Sequence, residues 1–352
     1  MEIKIDHIAK IEGHAGFVAY IVKGDIKKAR LEIKQGKRFM EKVTEGRKYD
    51  QVPIICSRIC GICPIVHQIT SIRAIENAFG IKPIREVTTL RKIMLAGQII
   101  QSHTLHLFIL SEDKRIIFLR NFINNLLAII GGRDIHPITP CIGGFRKVPK
   151  KESIESLMKD YSRNLELAVK IAPRFRKQPA FERRTEFIAL SDIYDGIIPE
   201  RKTDIFMLGA IARINLYSEK LNPLAKKLLD FKLPCFNPFM NIYAQAIEVV
   251  HFLEEIKKDI ENLDYKNNLL TDFEVKESKG KAFCEAPRGT LFHSYKINKE
   301  GYITKAEIIT PTFQFIPNLE RDLKEYLRGT QNEEKIKSLI RAYDPCISCA
   351  VR

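Results

Sequence analysis

Two cysteine pairs at opposite ends of the chain, Cys60-Gly-Ile-Cys63 and Cys346-Ile-Ser-Cys349, limit what this sequence can fold into more than any other feature. Thiols three residues apart offer two soft ligands on one turn, which is half of a metal site. The 282 residues between the pairs (64 through 345) far exceed the roughly 15–20 of a zinc ribbon. One shared site therefore requires a fold that returns the C-terminus to the neighbourhood of residue 60. A CxxC at a chain end itself argues for such a tie, because termini fray unless something holds them. Spacing alone leaves several readings open: inert buried thiols, independent redox pairs, a structural four-cysteine zinc, or a nickel or iron site.

Eight cysteines in 352 residues are too sparse for a disulfide framework. The opening MEIKIDHIAKIEGH lacks the long apolar core of a secretory leader. A reduced, cytoplasmic setting is expected. No uninterrupted apolar run of about 18 residues exists, so no membrane span is expected. The formal net charge is +15, but the basic residues are scattered among Ile and Glu. With no Arg-rich arm and no base-stacking motif, they read as a solvated surface and not as a nucleic-acid site.

The first 35 residues read as strands: EIKIDHIA alternates, FVAYIV is β-rich, and Gly24-Asp25 turns the chain into IKKARLEIK. HQITSIRAIENAFG predicts a helix closed by Gly80. Apolar residues run around the helix predicted over 84–110, so it should be buried. A helix over 114–130 ends at Gly131-Gly132, and HPITPCIGGFRKVP at 136–149 breaks the pattern. Further helices are predicted at about 152–171, 219–230, 241–262, 317–328 and 333–342, with a hairpin over 290–309. This is an α+β chain, mainly helical with small sheets, read as one interlocked unit over residues 1–352.

The residues around the cysteines are more specific. RICGICPIVH (58–67) meets R-x-C-G-x-C-x-x-x-H, and DPCISCAVR (344–352) meets D-P-C-x-x-C-x-x-H/R. In these the chain resembles the large subunit of nickel–iron hydrogenases. Between them fall, in that family's order, Glu12-Gly13-His14, RFMEKVTEGR (38–47), GGRDIHP (131–137), Gly143-Gly144, GAIARINL (209–216), EAPRG (285–289) and Pro311-Thr312. The resemblance covers nearly the whole chain.

It implies a fold with a central long-helix bundle and small peripheral β-sheets. It also implies that Cys60, Cys63, Cys346 and Cys349 hold a nickel–iron centre, whose iron carries cyanide and carbon monoxide. Cys63 and Cys349 would bridge the metals, and Cys60 and Cys346 would bind nickel alone. Dihydrogen would be cleaved heterolytically, with Cys346 the first proton acceptor and Glu12 carrying the proton outward. Arg288 would face the metals, paired with Asp344. His67 would fix a bridging sulfur and Thr312 would bond a cyanide. Glu41, with the backbone near Ile308, matches a magnesium position. His103, His106, Cys56, Cys141, Cys235 and Cys284 read as core residues.

Some positions depart from the family pattern. Arg352 replaces a common magnesium-binding histidine, Ser102 replaces a common aspartate, and TFQFIPN follows Pro311 where other members differ. Members are often made with a C-terminal extension that is later removed, which the sequence leaves open here. The chain has no ferredoxin-type cysteine run, GxGxxG loop or P-loop to take electrons. A small iron–sulfur subunit, and subunits that reduce an electron carrier, are therefore expected as partners. CGICP and Ser102 favour a cytoplasmic bidirectional enzyme feeding a soluble carrier such as nicotinamide or deazaflavin. The alternatives are a membrane-associated energy-converting enzyme, a complex-I-like scaffold, or a structural zinc module.

Overall fold

Alternation at the N-terminus builds an antiparallel meander of β1 (Glu2–Ile5), β2 (Ala15–Val22) and β3 (Asp25–Ile33), in that order. The computed structural model describes residues 2–23, 25–266 and 268–351; Gly24 and Arg352 lie outside the described residues. Two short helices, α1 (Met40–Thr44) and α2 (Val52–Ser57), lead to the first cysteine pair. α3 (Pro64–Phe79) begins directly after Cys63. Pro64 occupies its first turn, where a missing N–H costs nothing, and Gly80 closes it at φ 74.

α4 (Arg85–Ser111) matches the helix expected to be buried, and α5 (Arg115–Gly131) the one expected over 114–130. Among the described residues α4 is the one helix long and apolar enough to cross a membrane, but 78% of its most apolar window is buried inside the protein. That is the all-round apolarity of a core helix. The Pro/Gly-rich segment pairs β4 (Pro140–Cys141) with β5 (Gly144–Phe145).

The helix expected over 152–171 is two. α6 (Lys151–Met158) and α7 (Tyr161–Ile171) are separated by a turn closed from the Asp160 N–H to the Leu157 carbonyl. β6 (Glu186–Phe187) and β7 (Phe206–Met207) then pair in parallel. α8 (Ala210–Tyr217) lies where only a motif was read, and the helix expected over 219–230 shrinks to α9 (Pro223–Leu228). The reason is Pro223, which disfavours helical backbone at the residue before it.

α10 (Asn241–Glu261) packs on α4. The expected hairpin of β9 (Gly289–Ile297) and β10 (Ile303–Ile309) gains a third strand, β8 (Ser278–Ala286), in the order β10-β9-β8. β8 escaped the sequence pattern because it presses backbone onto α3: a Cβ at Gly280 would lie 2.1 Å from the Ala74 carbonyl oxygen. α11 (Pro311–Tyr326) starts six residues earlier than expected, and Pro317 falls inside it. α12 (Glu333–Ala342) and α13 (Ile347–Ala350) complete the chain. α3, α4, α5 and α10 are the central bundle; the β8–β9 face lies on α3 and β3 lies on α11.

A buried ion network fixes α8, α10 and β8 near the site. Arg213 donates to Glu248 at 2.6 and 2.7 Å and to Glu285 at 2.7 Å, and His103 meets Glu248 at 2.9 Å. Burial alone would raise the Glu248 carboxyl, but the Arg213 guanidinium overrides it and holds it at about 2. A carboxyl lower in the folded chain than in the unfolded one stabilises above its unfolded value of about 4.3 and loses that contribution as pH falls through its folded value. Glu248→Gln should therefore flatten the acid-unfolding limb below about pH 4.3. At neutral pH it should cost roughly 3–5 kcal/mol, because Arg213 loses a buried partner. Melting curves across pH test both.

Candidate metal centre

The two chain ends are stitched together before any metal is considered. The Ile347 N–H donates to the Glu12 carbonyl and the Arg38 N–H to the Val351 carbonyl, each at 3.0 Å. The Arg38 guanidinium reaches the carbonyls of Ile59 and Ser348, tying the loop before one cysteine pair to the helix of the other. Glycine is required at position 13, where φ is +82 and a Cβ would lie 2.8 Å from Ile347 Cβ.

This closure brings the sulfurs of Cys60, Cys63, Cys346 and Cys349 within 4.8 Å of one another, all buried. Cys60–Cys346 is 3.3 Å, Cys63–Cys349 is 3.2 Å and Cys346–Cys349 is 3.0 Å, and all four are free thiols. Two thiolates on one metal, each about 2.3 Å from it, lie about 3.3–4.6 Å apart for angles from right-angled to linear. The cluster therefore fits a thiolate-held metal centre with little adjustment. Without a cation it cannot carry four charges. Hydrogen bonds from Cys346, Cys349 and Cys63 draw Cys60 well below the usual thiol range, while burial pushes Cys346 well above it. A void of about 10 Å³ beside the sulfurs is bordered by Ala286, Pro287, Leu291 and Pro311 as well as by Arg288 and Thr312.

The polar surroundings follow from the elements. Glu12, half-buried and not enclosed, accepts from the Cys346 thiol at 3.1 Å and the Ser348 N–H at 2.9 Å, with the Ser348 hydroxyl on its other oxygen. The Cys346 N–H donates to Thr312 Oγ1 at 3.0 Å. Arg288, in the turn between β8 and β9, donates to Asp344 Oδ1 at 2.7 Å and to Ser102 Oγ at 3.2 Å. Burial opposes its charge, but Asp344 and the nearby sulfurs keep it protonated. Gln245 donates to the other Asp344 oxygen at 3.1 Å. His67 Nε2 lies 3.6 Å from Cys349 Sγ. Glu41 is outside this cluster, on α1, near enough to Cys56 and Tyr295 for its charge to bear on them.

His103 and His106 are core residues bonded to Glu248 and Gln245 at 2.9 and 2.6 Å. Cys56, Cys235 and Cys284 are buried, but Cys141 is only partly so. Sequence reading missed Ser348, Gln245, His293 and Tyr295. Ser348 alone carried a signal, as the middle of the second motif.

The model of the nickel-dependent hydrogenase family matches residues 38–112 and 239–352. Sulfhydrogenase 2 subunit alpha of Pyrococcus furiosus is 32% identical, over all of this chain and 99% of that protein. Sulfhydrogenase 1 subunit alpha of the same organism is 31% identical, over all of this chain and 98% of that one. Among solved structures, an NAD+-reducing [NiFe]-hydrogenase in its H2-reduced state superposes with a TM-score of 0.86 at 22% identity, covering 100% of this chain and 99% of that one. The Ni-Fe-Se hydrogenase from Desulfomicrobium baculatum superposes at 0.82 with 18% identity over both whole chains. Full-length identity to hydrogenase alpha subunits, a matching fold and a buried four-thiol cluster lead to one conclusion: the chain belongs to the nickel-dependent hydrogenase family, as a catalytic large subunit.

Proposed function

We propose that the thiolates of Cys60, Cys63, Cys346 and Cys349 would together hold a nickel–iron centre. When bound, such a centre supplies the redox chemistry that lets dihydrogen be cleaved or formed. The residues of this chain do the rest. Cys346 Sγ is placed to take the proton, and the Glu12 carboxylate 3.1 Å away is placed to receive it. Ser348 holds that carboxylate from two sides, so its aim does not depend on solvent. Arg288, fixed by Asp344, aims a cation at an electron-rich site in a dry pocket, where its field is strongest. The apolar wall of the void suits cyanide and carbon monoxide on the iron, and Thr312 borders that void.

The observation that carries this reading is the Cys346–Glu12 contact at a buried four-thiol cluster. Electrons would pass to an iron–sulfur partner subunit and then to a soluble carrier, in the cytoplasm. Magnesium would sit by Glu41, whose helix α1 packs on β10, the strand holding Ile308. Elemental analysis of the purified complex should give one nickel per large subunit, with iron in excess because the partner's clusters also carry it, and infrared bands of iron-bound cyanide and carbon monoxide. Zinc alone, or iron without those bands, would overturn the assignment. Omitting nickel from the growth medium should abolish hydrogen turnover and leave the polypeptide intact.

A further inference from the structure

A chain of buried side chains runs away from the sulfurs between α3 and β9, and nothing above uses it. His67 Nδ1 lies 3.2 Å from His293 Nε2, and His293 Nδ1 lies 2.7 Å from the Tyr295 hydroxyl. The same hydroxyl is 3.0 Å from Ser71 Oγ and 3.3 Å from Cys56 Sγ. The geometry is local in origin. His67 and Ser71 are one helical turn apart on α3, and His293 and Tyr295 alternate onto one face of β9. None of His67, His293, Tyr295 and Cys56 is more than 1% exposed, so bulk water cannot exchange their roles.

The donor direction can be worked out from the metal end. A metal-bound Cys349 thiolate has no proton, so it can only accept, and His67 must present Nε2–H to it. A neutral His67 then has a lone pair on Nδ1, which needs a donor, and His293 Nε2–H is that donor. His293 Nδ1 in turn must accept, so the single Tyr295 O–H turns to it at 2.7 Å and away from Ser71 Oγ at 3.0 Å, whose own rotatable O–H can donate back to the phenol oxygen. At the far end burial pushes the Cys56 thiol up to about 11 and the Tyr295 phenol well above its ordinary range, so both keep their hydrogens.

We propose that His293 and Tyr295 are positioning residues that lock His67 in the Nε2–H form, through a one-way hydrogen-bond chain from Cys56 to Cys349. A donated bond withdraws charge from the sulfur and so raises the potential of the centre. This rests on Cys349 being a metal ligand, as proposed above.

The test is a long-range proton–nitrogen correlation spectrum of the assembled enzyme carrying ring-labelled histidine, with metal content measured on the same sample. Both His67 and His293, the latter assigned through His293→Gln, should be neutral rings protonated at Nε2. An imidazolium at His67, or a proton on Nδ1 of either ring, in a metal-loaded sample defeats the chain alone; a sample lacking nickel and iron defeats the metal reading beneath it. Tyr295→Phe should lower the midpoint potential of the centre. In the His293→Gln background, where an amide N–H donates to His67 without help from Tyr295, that shift should vanish. A shift of unchanged size in the double variant would overturn the proposal.

Discussion

Cys346→Ser is expected to purify with little nickel and without measurable hydrogen turnover, a loss beyond the roughly 10–100-fold typical of changes outside the ligand shell. A serine hydroxyl does not ionise near neutral pH, and its oxygen is a hard donor where a soft metal is held. On the proposed role, the same substitution also removes the thiol placed 3.1 Å from the Glu12 carboxylate to pass it a proton, so binding and turnover should fail together. Cys235→Ser is the control, because Cys235 is a buried thiol outside the cluster. It should keep full metal content and activity within a few-fold. Normal nickel content in Cys346→Ser, measured by elemental analysis, would remove this cysteine from the centre.

Glu12→Gln should separate metal binding from proton movement. The side chain keeps its shape, and an amide oxygen can still accept from Ser348, so the loop joining the two chain ends should hold. The amide cannot take up a proton. Loss of a positioned proton carrier costs on the order of 10²–10⁴-fold, and turnover should fall within that range with nickel and iron unchanged. Exchange of deuterium gas with solvent protons should fall in parallel, because it needs the same exit. Glu12→Asp retains a carboxylate on a shorter arm and should recover part of the rate. Wild-type exchange in Glu12→Gln would mean that protons leave by another route.

How much of this could be read from the chain varies with the range of the interaction. The α3 boundary at Gly80 was legible because a glycine C-cap is a local signal. α12 was legible from the polar-apolar period of EEKIKSLIRA. β8 was not, because its glycine is selected by contact with α3 and by nothing in its own neighbourhood. α11 was misplaced because Pro317 looked like a helix start, whereas Pro311, bordering the void beside the sulfurs, occupies that role. α4 looked like a core helix in the sequence, and its neighbours α5 and α10 are what make it one.

At the site, the ligand set was visible because thiols at CxxC spacing have few other uses, and Arg288 and Asp344 were visible inside short motifs. Tyr295 and Gln245 were not. Each is an ordinary residue of a strand or helix until the fold sets it beside a partner 224 residues away, Ser71, or 99 away, Asp344.

The sequence by itself determined the donor chemistry: four soft sulfurs in two local pairs, a carboxylate before Gly13, and an arginine inside EAPRG. Tertiary structure alone decided that the sulfurs and the arginine share one buried site, with the carboxylate at its edge. Residues 60 and 346 meet because apolar surfaces spread along the whole chain bury each other cooperatively, and because Glu12 and Arg38 then bond the returning end, which Gly13 lets approach closely. No local pattern encodes that sum. The same long-range packing sets the hydrogen-bond direction at His67 on α3, since the partners proposed to choose its tautomer come from β9, His293 lying 226 residues on.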